Sequence, residues 1–443
     1  MSNTLTSIIK IKELRERIFY TLSLLIVFRI GAQIPVPGVN ISALKLFMQS
    51  NNSGNNPLME YFNFFAGGAF DNLSLFALGI MPYITTSIIL QLLLLIVPAL
   101  KRISEEEGGR KKITQFTRMG SVPICLVQSF LTINLIKSYE ASAPNIIAME
   151  PKLFFYISTV IITTTGTLLL MWIGERITEK GIGNGISLII FAGIAARLPG
   201  AFNELFNKVS KGSLEIPLVL FILIMFVFVI ALIIYEQQGQ RKIPISYARR
   251  IVGRKVYGAP NTYLPLKINP SGVIPIIFAS SLLSFPHTIA SMFSNVKWLQ
   301  FVSRALQSDT VTYMVVYGLL IVFFAYFYTQ VTLNPIEIAK NIRENGGSIP
   351  GVASNKVEEH LTRVLNRIVL PGSFFLALIA IIPSIIINLI PEFPHSMAFL
   401  LGGTSLIIIV GVDLDTMSQI EGHLKMHHHD GIVKKGRIRS RNF

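Results

Sequence analysis

The stretch FNFFAGGAFDNLSLFALGIMPYITTSIILQLLLLIVPAL, residues 62–100, sets a short glycine-bearing apolar segment before Gly79-Ile80-Met81-Pro82 and a longer apolar run after it. Gly and Pro interrupt helices, and at membrane depth the backbone groups they free find no water. Interrupted spans therefore occur where neighbouring protein or a water-filled cavity takes up those groups, along paths through the bilayer. Such a stretch belongs to a conduit.

Composition places the chain in the same class. Of 443 residues, 51% are hydrophobic and only 14% are charged, and the mean hydropathy is +0.57. One soluble core does not hide that much apolar surface, so the chain reads as an all-α integral membrane protein. A helix needs roughly 20 apolar residues to cross ~30 Å of hydrocarbon, and about ten stretches qualify. They are 18–36, 75–98, 117–137, 154–174, 185–200, 216–235, 271–291, 311–332, 368–390 and 397–417. The fifth is short and the second is broken. The spans divide into an N-terminal half, 1–214, and a C-terminal half, 215–443. Because each half holds an odd number of spans, two successive halves have opposite orientations, as in inverted-repeat transport proteins.

Charge sidedness agrees with this layout. With residues 1–17 on the cytoplasmic side, thirty of the 39 Lys and Arg residues fall on that side, leaving Arg29, Lys45, Lys137, Lys152, Arg197, Lys208, Lys211, Lys297 and Arg304 elsewhere. This is the bias of the positive-inside rule, with both termini cytoplasmic. Residues 10–17 ahead of an apolar run resemble the start of a signal peptide. No small-residue cleavage site follows, and Pro35-Val36-Pro37-Gly38 reads as an exit turn, so the run is expected to be a retained first span behind a surface helix. The one cysteine, Cys125, excludes an internal disulfide framework and reads as a packing residue.

Ionisable chemistry inside the spans is sparse. Ion-coupled transporters need carboxylates or histidines within the membrane, and only Arg29, Asp413 and Asp415 approach that depth, each within reach of an interface. Arg29 is expected to snorkel or to cap neighbouring carbonyls rather than to touch a substrate. The run His427-His428-His429 lacks acidic or cysteine partners at ligand spacing, so a solvated tail is expected and neither a metal nor a cofactor. No paired acid, metal set or activated nucleophile lies at membrane depth to make a membrane-embedded enzyme. An ion-coupled small-solute transporter is the alternative to a conduit, disfavoured by the missing carboxylates.

Hydroxyls and amides are what the spans do carry. Span two has Thr85, Thr86, Ser87 and Gln91, and span seven has Ser280, Ser281 and Ser284 after Asn269-Pro270-Ser271-Gly272. Such groups join helices by roughly 0.6 kcal/mol per hydrogen bond in membranes. The pattern alone suits a seam that opens and ordinary helix packing equally.

Several strings carry a resemblance to one family. Phe76-Ala-Leu-Gly-Ile-Met-Pro-Tyr-Ile84, Gly174-Glu-Arg-Ile-Thr-Glu-Lys-Gly-Ile-Gly-Asn-Gly-Ile-Ser187, Gly239-Gln-Arg-Lys-Ile-Pro-Ile-Ser-Tyr-Ala-Arg-Arg250 and Gly402-Gly-Thr-Ser-Leu406 are similar to the SecY translocon family, as is Leu264-Pro-Leu-Lys-Ile-Asn269 running into Gly272-Val-Ile-Pro275. The resemblance extends from about residue 10 to 420 in the same order. It implies a protein-conducting channel with ten helices in two five-helix halves and no catalytic site. A plug at about Tyr61–Leu73 is implied to close it, including Phe62, Phe64, Phe65, Gly67, Gly68, Phe70, Asp71 and Asn72. The implied pore waist is Ile84, Ile88, Ile190, Ile194, Ile274 and Ile408. A lateral gate is implied along Thr85, Ile89, Gln91, Asn269, Ser281 and Leu282, with Ile89 facing Leu282.

Physical chemistry is compatible with those roles. Ile84 and Ile88, like Ile190 and Ile194, are four residues apart and share a helix face. Stiff β-branched side chains make a constriction that excludes ions by dewetting. Gly67-Gly68, Asp71 and Asn72 weaken the plug segment as a spanning helix. The resemblance further implies that residues 236–270 and 333–367 bind the ribosome and the SecA ATPase through Arg241, Lys242, Arg249, Arg250, Arg254, Lys255, Arg343 and Lys356. Clustered basic residues suit rRNA phosphates, because they replace released counterions. The implied partners also include SecE and SecG-like small membrane subunits, secretory and membrane-protein nascent chains and the lipid of a bacterial cytoplasmic (inner) membrane. One departure stands out. Where the family usually has an arginine after Pro350-Gly351-Val352, this chain reads Ala353-Ser354-Asn355-Lys356, leaving Lys356 and Arg343 as candidate replacements.

The charge split generates a topology test. Reporters fused after Arg254 and after Asn442 are expected to read cytoplasmic and one near Asn52 external; an external signal at Arg254 would overturn the span order.

Overall fold

The computed structural model describes residues 11–44, 63, 65–106, 108–142, 146–148, 151–212, 214–247, 250–252, 255–257, 262–292, 296–307, 310–390, 393, 397, 400 and 402–435. By packing the chain divides into two units, one of Met1–Pro199, Ser291–Phe293 and Val412–Phe443, the other of Gly200–Ala290 and Ser294–Gly411. Seven helices among the described residues are long and apolar enough to cross a bilayer, and the bent pair Met81–Leu94 and Pro98–Ser104 makes an eighth.

The first unit begins with α1 (Lys12–Gly31). It is one continuous helix through the expected surface helix and into the expected first span 18–36, which it leaves at Gly31, and it is missing from the seven because Lys12, Glu13, Arg15, Glu16, Arg17 and Arg29 leave it no long uncharged stretch. Its end turns at residues 32–39, as Pro35-Val36-Pro37-Gly38 suggests. Helices α2 (Met81–Ile96), α3 (Pro98–Glu105), α4 (Gly109–Ser142), α5 (Lys152–Lys180) and α6 (Gly185–Ala195) follow. The expected span 75–98 is shorter as a helix, since residues 75–80 form turns and α2 starts at Met81. Pro82 lies in the first turn, where a missing N–H costs nothing. The break comes at the other end as well, where Val97, forced extended ahead of Pro98, bends the pair by 106°. Helix α5 packs against α1, α4 and α6, burying Thr159, Thr163, Gly166, Thr167 and Leu170. Small and hydroxylic residues there let neighbours approach, as membrane packing requires. Ser129 of α4 lies 2.9 Å from the Thr163 hydroxyl.

Between α1 and α2 the chain folds inward without spanning. Phe65, Ala66, Ala69, Phe70, Leu73 and Phe76 are all buried. Residues 34–36 and 73–75 meet as a bridge, Pro35 with Ser74, in which Val36 N donates to Leu73 O and Leu75 N to Ile34 O, each at 2.9 Å. Helix α5 backs this bridge so closely that a Cβ at Gly166 would lie 2.0 Å from Leu75 O.

The second unit contains α7 (Leu198–Ser210) from Gly200 onward, α8 (Ile216–Gln238), most of α9 (Ile274–Met292), α10 (Lys297–Ala305), α11 (Val311–Thr332), α12 (Pro335–Glu344), α13 (Val357–Leu389) and the start of α14 (Gly403–Lys435). Within α9 the stretch Ile274–Ser284 is a shorter apolar segment, outside the seven. Helices α11 and α13 pack along each other.

Beside the helices stands a small sheet that a reading of apolar runs does not anticipate. Strand β1 (Gln240–Tyr247) pairs antiparallel with a later strand, Thr262–Lys267, in register Gln240 with Lys267 through Ile245 with Thr262. Between them β2 (Arg250–Val252) and β3 (Lys255–Tyr257) pair as a hairpin, so Thr262–Lys267 is β4. The other edge of β1 takes β5 (Gly347–Ser348) from the second loop. Alternation along β1 sends Ile243 and Ile245 to one face. There they form a core with Leu266, Ala339, Ile342, Ile349, Val357, Leu361 and Leu365. The segments 236–270 and 333–367 thus share one hydrophobic core.

That shared core sets an expectation. Leu361→Ala should cost about 2–5 kcal/mol locally and increase trypsin cleavage at Arg241 and Lys242 together with cleavage at Arg343. Cleavage confined to residues near 343 would mean that the loops fold independently.

Candidate functional site

The expected plug residues that are described, Phe65, Gly67, Gly68, Phe70, Asp71 and Asn72, lie in the inward fold between α1 and α2; Phe62 and Phe64 lie outside the described residues. Two local devices shape this segment. Asn63, buried, donates from its side chain to the Asp71 carboxylate, and Asp71 N returns a bond to Asn63 Oδ1 at 2.9 Å. The loop is thereby closed on itself. Gly67 and Gly79 adopt φ of +63° and +58°, the left-handed region that glycine enters without a Cβ penalty.

Gly67 also has a packing reason to be glycine. It rests on Gly193 of α6, and a Cβ on Gly67 would come within 2.6 Å of the Gly193 Cα. Gly193 lies between Ile190 and Ile194, so the segment is seated against the helix that carries two of the expected waist residues. From α1, Arg29 donates through Nη1 to the Gly67 carbonyl at 3.0 Å. Of the two expectations for Arg29, capping a carbonyl is the one realised. Sequence reasoning missed Gly193; a glycine one residue before an expected waist isoleucine was the available signal.

Of the waist residues, Ile84 and Ile88 on α2 are buried, as are Ile190 and Ile194 on α6. In the second unit Ile408 on α14 is buried and Ile274, the first residue of α9, is half-buried. Along the expected gate, Thr85 is buried on α2 while Ile89 is 42% exposed, and on α9 Ser281 is buried while Leu282 is 45% exposed. Polar groups here bond locally. Thr86 Oγ1 donates to Pro82 O at 2.7 Å, Gln91 Nε2 to Ser87 Oγ at 3.1 Å and Ser280 Oγ to Ile277 O at 3.0 Å. Asn269 builds the turn before α9, with Nδ2 donating to Gly272 O and Oδ1 accepting from Ser271 Oγ.

On the loop face, Arg241 and Lys242 are exposed on β1. Arg250 and Lys255 are placed on the hairpin, Val252 opposite Lys255 and Arg250 opposite Tyr257, whereas Arg249 and Arg254 lie outside the described residues. The one acid of residues 236–270, Glu236, is only 6% exposed in the last turn of α8, so it does not offset that positive face. Arg343 lies in the last turn of α12 and donates through Nε to Ala339 O at 3.3 Å, and Lys356 is exposed just before α13. Among the described residues no His, Cys, Asp and Glu cluster has the makings of a metal site.

Comparison with known proteins adds a second line of observation. The family model SecY matches residues 74–417. The protein translocase subunit SecY of Chlamydia trachomatis serovar D is 42% identical over 456 residues, covering 99% of this chain and 99% of the relative. The fold is shared with a structure described as showing that the plug domain of the SecY protein stabilises the closed state of the translocation channel and maintains a membrane seal. That match has a TM-score of 0.64 at 19% identity over 96% of this chain and 94% of the other. Sec61 in the canine ribosome-channel complex from the endoplasmic reticulum matches with a TM-score of 0.61 at 17% identity, again over 96% and 94%. With a family match over most of its length and a relative this similar end to end, the chain belongs to the SecY family.

Proposed function

We propose that this chain is the central protein-conducting channel of a Sec translocon, moving unfolded secretory polypeptides across the bacterial cytoplasmic membrane and releasing transmembrane segments sideways into lipid. The observation that carries this reading is the seat of residues 65–79: an apolar, non-spanning segment rests through Gly67 on Gly193, beside Ile190 and Ile194. A small-solute transporter has no use for a removable apolar stopper of this size. In this reading residues 61–73 are the plug, and Ile84, Ile88, Ile190, Ile194, Ile274 and Ile408 are the waist. The six isoleucines hold ions back because a dry, narrow apolar ring is costly to wet, yet their side chains give way to a peptide.

Spans two and seven are the gate in this reading, with Ile89 and Leu282 at its lips. Exposed apolar side chains there suit an opening that a signal helix fills, since burial of that helix offsets the few weak polar contacts parted. Both termini and the loops 236–270 and 333–367 face the cytoplasm. The loops receive the ribosome and the SecA ATPase, energy comes from that ATPase, from ribosomal chain elongation or from the membrane potential, and SecE and SecG-like subunits complete the complex. The ribosome-bound canine relative supports the first of these partners. The chain itself performs no chemical step.

Two experiments test the reading. Replacing Ile84, Ile194 and Ile408 together with Asn should wet the waist, so that reconstituted vesicles leak ions at rest; unchanged resting conductance would remove the waist assignment. Reversing Arg241, Lys242, Arg250 and Lys255 to Glu should weaken ribosome and SecA binding and flatten its salt dependence, because fewer counterions are then exchanged. Binding that survives with the same salt slope would leave the loop charge with topology alone.

A further inference from the structure

Arg29 is a cation in the last turn of an apolar helix, and two cheaper fates were open to it. Its long stem allows it to snorkel to the interface, and a basic residue there favours the carbonyls at its own helix end. Its guanidinium instead reaches 38 residues along the chain to the Gly67 carbonyl. The acceptor is the residue that has no room for a Cβ because it lies on Gly193. One atom group thus feels two restraints, a donor from α1 and a steric stop from α6.

We infer that Arg29 is a positioning residue that latches the plug: its bond to the Gly67 carbonyl holds the segment on its Gly193 seat, and breaking that bond is a required step of opening. This rests on the plug assignment proposed above. The chemistry suits a latch. A charge-assisted hydrogen bond is about twice as strong as a neutral one, and its worth rises where water is scarce. It is also a single contact to a backbone atom, so it is released as a whole once the segment shifts by a few ångströms. A passing chain has only to displace Gly67, after which the guanidinium is free to turn to the interface. The other polar contacts of the segment include the internal Asn63–Asp71 pair, a neutral bond from Asn72 Nδ2 to Gln33 Oε1 at 3.5 Å and the Val36 N to Leu73 O bond at its end, so the charge-assisted one to Gly67 is the strongest of these.

The test uses the complete membrane complex as purified, reconstituted in vesicles and planar bilayers, in five forms: unaltered, Arg29→Gln, Arg29→Leu, Arg29→Lys, and with residues 63–71 deleted. Hydrogen exchange of residues 65–79, read by mass spectrometry, reports the latch, and resting ion conductance reports the seal. Arg29→Gln should speed exchange in 65–79 roughly ten- to a hundredfold, the range for loss of a hydrogen bond to a charged group. Exchange in residues 155–170 of α5 should not change, and resting conductance should rise toward that of the deletion. Arg29→Lys, which keeps a charged donor without the fork, should fall between the two. Should Arg29→Gln fail to assemble, Arg29→Leu, which also lacks the charge and suits lipid, carries the same expectation. Exchange in 65–79 equal to the unaltered complex overturns the latch, as does faster exchange with an intact seal where the deletion leaks. A deletion that does not leak removes the plug assignment itself, and the gating role of Arg29 with it, whatever the exchange rates show.

Discussion

Backbone groups withdrawn from water must find partners, and the non-helical residues 67–79 inside a membrane protein put that demand at its sharpest. The fold meets it piece by piece. Residues 34–36 pair with 73–75 in two bonds of 2.9 Å, the Asn63 amide and Asp71 close the loop, and a guanidinium serves the Gly67 carbonyl. Much else in the first unit follows from accommodating this segment. Helix α5 has Gly166 where it backs the bridge, α6 has Gly193 where Gly67 lands, and α1 ends in Gly31, whose Cβ would fall within 2.2 Å of the Phe76 ring.

These glycines explain how so little sequence specifies the seat. Three close approaches, each of which one methyl group would spoil, fix where the segment rests without a dense polar network. Leu73, whose carbonyl accepts one of the two bonds of the bridge, adds to this by being held at φ +40°. A non-glycine residue rarely adopts that conformation unless its surroundings impose it. The segment is therefore located by close approaches to α5 and α6 on one side and by directional bonds to residues 29–36 on the other.

The membrane class, most of the helical spans and the interruption near residue 80 were legible, because apolar runs and Gly–Pro breaks are one-dimensional signals. The bend at Val97 was less so: Pro98 is visible in the sequence, but whether a proline kinks a helix or starts a new one depends on what packs beside it. The polar stripes on spans two and seven suit a seam and ordinary packing equally as sequence, and in the structure Thr86, Ser280 and Ser284 bond carbonyls of their own helices. The sheet was missed for a physical reason. Its strands are short, interrupted by Pro244 and Pro265, and β5 is two residues long and comes from a distant loop, so the pairing is a long-range event. Only the alternation of Ile243 with Ile245 and of Leu264 with Leu266 hinted at it.

That sheet has a mechanical meaning. Strand β1 leaves α8 through Gly239, whose carbonyl accepts from Ile268 N at 2.9 Å as β4 heads toward α9. On the far side Ile268 lies against α13, with its carbonyl 3.0 Å from where a Gly372 Cβ would be. The end of one transmembrane helix, the start of another and the flank of a third are thus bound to a single stiff plate by short, inextensible connections. A load placed on either segment is thereby shared by all three helices at once rather than by one.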